Sequence, residues 1–238
     1  MVLTELIYTL YSVKKKMSRV RASASLASQQ PVWPRLVVLA LAGLSILSGL
    51  SASLLRLGVW SPWTIAGLAD NHGSLMVLGF VSTAIGLERA VALRRLWAGL
   101  APLGTACGAL AILLGAPLAI SGGFFILGTG TLVLIYVAVY RRQSAIAVIV
   151  QGLGAAAALA SALAYTRGLL PEDIVLWWVA FLLLTIIGER LELARIAFLG
   201  RDGEESILWA ALLLIGTTAW ATLSPIAVRG VGVAITLL

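Results

Sequence analysis

Apolar runs of about twenty residues, each closed by charges, proline or glycine, recur from Leu36 almost to the end of the chain. They predict helical spans over Leu36 to Leu57, Asn71 to Leu93, Leu100 to Leu118, Phe124 to Tyr140, Ser144 to Tyr165, Ile174 to Phe198 and Ser206 to Ala227. An eighth run opens near Val231 and stops at Leu238, too short to cross and without a polar tail. That is the pattern of a chain cut from a longer protein. The expected fold is all-α, a polytopic transmembrane helix bundle of seven full spans plus a truncated eighth.

Residues 1–33 precede this domain as a polar, basic leader carrying Lys14, Lys15, Lys16, Arg19 and Arg21, and residues 34–238 form the transmembrane part. The charges stand ahead of a run long enough to span, so no cleaved signal peptide is expected. The opening residues 1–13 are weakly apolar and suit a membrane surface; Met17 is an alternative start.

Composition agrees: 61% of the 238 residues are hydrophobic and 11% charged, and mean hydropathy is +1.03. A soluble domain carries roughly 25% charged residues. The single Cys107 excludes an internal disulfide and a cysteine metal cluster. A net charge of +7 would suggest nucleic acid in a soluble protein, but here the bases sit at the ends of apolar runs, where they set orientation. With the N-terminus cytoplasmic, fourteen of the seventeen bases fall on that side, leaving only Arg56, Arg167 and Arg229 opposite. The expected location is a bacterial cytoplasmic membrane, with the bilayer as partner and no nucleic acid.

Span two ends in a Glu88–Arg89 pair and span six in Glu189–Arg190, an offset of 101 residues with four spans between. Both pairs therefore lie toward the cytoplasmic end of helices running the same way. A parallel repeat of residues 34–140 on 142–238 would produce this, as would chance convergence on helix-end charges. Glu88, Arg89, Glu189, Arg190, Glu192 and Arg195 form a candidate intramembrane charge cluster, with Glu192 and Arg195 spaced to pair on one face. Such a cluster either lines a path for a proton or anion, or locks two helices in register.

His72, the only histidine, opens span two near the outer face. At 100° per residue Met76, Gly79, Thr83, Gly86 and Ala90 follow it down one side, a stripe of small residues below an imidazole and a thioether. Two readings stand: His72 and Met76 as haem or metal ligands beside room for a flat cofactor, or a tight helix contact capped by an interfacial histidine. A single histidine cannot build a bis-histidine haem. Met76, a second copy of the chain or further C-terminal residues would have to add ligands. Trp33, Trp60, Trp63, Trp97, Trp177 and Trp178 lie near span ends as an interfacial belt.

At His72–Phe80 (HisGlySerLeuMetValLeuGlyPhe) and the two Glu-Arg pairs, the chain resembles poorly characterised bacterial membrane proteins that are NnrS-like or related to haem-copper oxidase subunit I. The resemblance implies haem binding through His72 and a role in redox or nitrogen-oxide stress. Several histidines hold haem and copper in those families and only His72 is present here, so oxygen-reductase activity is not implied. The sequence has no motif that names a reaction, and an enzyme is the less expected class. A small-solute or ion transporter using the Glu-Arg pairs is the alternative, and a membrane assembly factor bound to a partner complex is a third.

Overall fold

The computed structural model describes residues 33–62, 67–194 and 201–223. The leader, the eighth run, Trp63 and Arg195 lie outside them. Residues 1–37 and 38–238 form separate units; of the first, only the opening of the first helix is described. The second holds the helical bundle.

Seven helices are long and apolar enough to cross a membrane, the make-up of a multi-pass membrane protein. We number them α1 (Trp33–Arg56), α2 (Ala69–Leu93), α3 (Leu96–Leu113), α4 (Leu118–Tyr140), α5 (Ile146–Thr166), α6 (Pro171–Ala194) and α7 (Arg201–Leu223). Several boundaries differ from the sequence reading. The first, third, sixth and seventh helices start three to five residues earlier, at Trp33, Leu96, Pro171 and Arg201, and two further differences have a clear local cause. The third span stops at Leu113, because Gly115 turns left-handed (φ +68°) and Pro117 follows, with φ −53° and ψ 145°. The fourth then starts at Leu118 rather than Phe124. Its Ser121-Gly122-Gly123 stretch is helical, and Gly122 is glycine because Thr166 packs onto its α-carbon. Pro171 begins α6, with Glu172 and Asp173 in the first turn, where acidic groups favour the helix dipole.

In lipid the hydrophobic effect does not draw helices together, so close approach of small residues has to. On α1 the buried positions Val38, Ala42, Ser45, Gly49 and Ala52 are spaced alternately by four and three residues, one narrow face of small side chains. That face meets α2, with Met76 against Gly49 and Ser45 against Gly79. Gly104 of α3 and Gly128 of α4 cross with no room for a Cβ, and Gly108 seats the ring of Phe125. Gly154 and Gly188 do the same between α5 and α6. The chain thus runs α2 against α3, α3 against α4, α4 against α5 and α5 against α6, with α7 lying on α5 and α6.

Helix α2 is irregular. Ala69–Asn71 is a 3-10 turn, His72–Ser74 is α-helical, Leu75–Val81 is π-helical, and Ser82–Leu93 returns to α. Single π turns are rare and tend to occur at functional positions. Hydroxyls support this one: Ser45 Oγ donates to the Leu75 carbonyl at 2.8 Å, and Ser82 Oγ to that of Val77 at 3.2 Å.

Candidate four-helix polar junction

The ends of α2, α4 and α6 converge on Arg89, and the beginning of α5 packs beside them. Its Nη2 donates to Glu189 Oε1 at 3.2 Å and lies 3.7 Å from Glu88 Oε1. Its guanidinium carbon stands 5.7 Å from the centre of the Tyr136 ring, within reach of a cation–π attraction. The Arg89 side chain is only 16% exposed, against 42% for Glu189 and 62% for Glu88. The cation is therefore sheltered while both carboxylates reach the surface of the bundle.

Tyr136 of α4 and Gln151 of α5 complete the junction. Gln151 packs its Cγ against Gly188, the residue before Glu189, and Tyr136 lies over Gly152. Gln151 is 1% exposed and Tyr136 3%. Among the described residues, Arg89 Nε, the Tyr136 hydroxyl and Gln151 Nε2 are all buried and have no well-formed hydrogen bond. Each can donate, and a buried donor left unpaired costs about 1–3 kcal/mol. Two of them belong to Arg89 and the tyrosine beside it, and the third to a residue packed against the neighbour of Glu189; together they make a donor-rich junction that an acceptor from outside the chain would satisfy.

The structure brings together three of the six charges singled out in the sequence. Arg190 and Glu192 are exposed, and neither joins an ion pair among the described residues. The proposed partner of Glu192, Arg195, lies outside them. Tyr136 and Gln151 escaped the sequence reading. Gln151 carried a signal, since it is the one side-chain amide within the apolar run of α5, and polar groups at membrane depth are expensive. Tyr136 carried none, standing four residues from Tyr140 at an ordinary aromatic helix end.

His72 and Met76 sit near the opposite end of α2. His72 Nδ1 lies 3.0 Å from the Ala69 carbonyl, which can only accept, so Nδ1 is the donor of this contact. Met76 is packed onto Gly49, with its sulfur 4.0 Å from Ser53 Oγ. Below it the stripe is filled by protein. Gly79 abuts Ser45 and Ala109, Thr83 and Thr105 share a hydrogen bond at 2.7 Å, and Gly86 abuts Ala101 and Pro102. Helices α1 and α3 take the space a flat cofactor would need, and these residues do not fit a haem there. Among the described residues no three His, Cys, Asp or Glu side chains gather as metal ligands.

Trp178 corrects the reading of an interfacial belt. Trp33, Trp60 and Trp97 are exposed, but Trp178 is buried, with its ring on Gly73. Its neighbour Trp177 donates Nε1 to Thr222 Oγ1 of α7 at 3.1 Å.

A model of the family described as a domain of unknown function, DUF8744, matches residues 35–238. The chain belongs to the DUF8744 family. No curated protein and no solved structure matches it. The DUF8744 match covers every helix residue named in the junction.

Proposed function

We propose that the chain is a carrier in a bacterial cytoplasmic membrane, its N-terminus cytoplasmic, passing a small polar solute or ion through the Arg89 junction. The observation that carries this reading is the set of three buried, unpartnered donors beside the Arg89–Glu189 pair. A purely structural clasp is better served by satisfied groups, because a half-satisfied polar network is worse than an apolar contact. A passing solute with acceptor oxygens, or the water that accompanies it, would satisfy them only while it is there. The shared direction of α2 and α6 and the approach of their Glu-Arg ends also support a parallel duplication of the bundle.

Flux into proteoliposomes tests the proposal, with labelled leucine, labelled chloride and an internal pH dye as probes. At least one probe is expected to enter faster than into protein-free vesicles, with entry abolished by Arg89→Gln or Gln151→Leu and unaffected by His72→Ala. Equal entry in all preparations refutes the carrier reading. A Soret band in the purified protein that disappears with His72→Ala would put a redox protein in its place.

A further inference from the structure

A cavity of about 410 Å³ opens at the other end of the bundle, where α1, α4, α5 and α6 meet the start of α2. Its size falls within the ~300–1,000 Å³ typical of small-molecule sites. Its lining divides by chemistry. Arg56 closes α1, Asp70 begins α2 and Glu172 begins α6, three charges from three separate elements. Among the described residues none of them joins an ion pair, although all three border one cavity. Deeper in, the lining includes Ile174 and Trp178, both buried, and Tyr165.

Tyr165 is held in place from three sides. Its hydroxyl donates to Asn71 Oδ1 at 3.0 Å, lies 3.3 Å from Ser121 Oγ, and its ring meets Phe125 edge-on. Asn71 in turn donates Nδ2 to the Gly67 carbonyl at 2.9 Å. The wall is therefore preorganised, which lowers the ordering cost of binding. Trp178, fixed on Gly73, retains a buried Nε1 donor with no partner among the described residues.

A guest that matches this lining carries a cation and an anion close together on one small apolar body. From these features we propose that the cavity binds a zwitterionic amino acid with an apolar side chain. Its carboxylate would meet Arg56, its ammonium Asp70 and Glu172, and its side chain the wall of Ile174 and Trp178. Opposite charges on one rim select for a ligand bearing both and against one bearing either alone, because the unmatched rim charge must then give up water without return. The proposal rests on the carrier reading, for which the cavity would be the outer entry site.

Equilibrium dialysis of labelled leucine against the detergent-purified protein tests it without requiring transport. Saturable binding is expected, displaced by unlabelled leucine but not by 4-methylpentanoate, which lacks the amine, or isopentylamine, which lacks the carboxylate. Arg56→Gln and Glu172→Gln change exposed rim side chains, and each is expected to weaken binding about tenfold, the loss of one charge-assisted contact. No saturable binding, equal displacement by either half-molecule, or unchanged affinity in both variants overturns the proposal. Leucine binding without flux of any probe would refute the carrier reading and leave the site standing; flux that depends on Arg89 without leucine binding would do the reverse.

Discussion

Removing Glu189 should cost more than removing Arg89, although the two form one ion pair. At 3.2 Å the Coulomb energy of unit charges is about 5 kcal/mol with an effective dielectric constant near 20 and about 1.3 kcal/mol in water. Glu189 is 42% exposed, so solvent screens the pair and a net coupling of about 1–2 kcal/mol is the reasonable expectation. The single variants differ in what they leave behind. Glu189→Ala strands a guanidinium that is 16% exposed, with only Glu88 at 3.7 Å to balance it. Arg89→Ala leaves a carboxylate already at the bundle surface and also removes the unpaired Nε. Reversible unfolding in mixed detergent and SDS, run on both single variants and the double, would give the cycle. Glu189→Ala should be the more destabilising single change by about 1 kcal/mol or more, and the double variant should recover part of that loss. The reasoning fails if the two effects add to within about 0.3 kcal/mol, or if Arg89→Ala is the costlier change.

Close packing and orientation can be probed separately. Gly188→Ala forces a Cβ into Gln151 and onto the Ala147 carbonyl at 3.1 Å, so a loss of about 1–3 kcal/mol is expected in the same unfolding assay. Gly43→Ala, with nothing within 4 Å, should be neutral or gain up to about 1 kcal/mol from helix propensity. In a Cys107→Ser background, a cysteine at Gln143 should resist a membrane-impermeant maleimide in intact cells and one at Glu172 should react; the reverse pattern would invert the proposed orientation.

Much of the architecture was legible because a membrane helix announces itself by length and apolarity, a one-dimensional property of the chain. All seven spans could be placed that way, with errors confined to short boundaries. The Leu113 stop depended on a left-handed glycine before Pro117, and the early start of α4 on glycines that read as a break but serve a close contact. The site was legible only in its charges. That Arg89 would reach Glu189, that Tyr136 would lie beneath it and that Gln151 would face Gly188 are facts of helix rotation. An apolar sequence with no polar face to orient it does not encode rotation visibly. Trp178 failed for the same reason: depth from the helix end suggested an interface, while rotation turned the ring inward onto Gly73.

The wide turn at Leu75–Val81 alters how α2 would respond to changes in chain length. A π segment holds one residue more than an ordinary helix needs over the same stretch. Deleting a single residue there would let the helix relax to regular pitch, with His72 and Arg89 keeping the faces they now present. The same deletion between Ser82 and Leu87 would instead swing the segment beyond it by about 100°, carrying Arg89 away from Glu189. Natural variation in the length of this helix should therefore be tolerated at the π turn and purged on the stretch that leads to the junction.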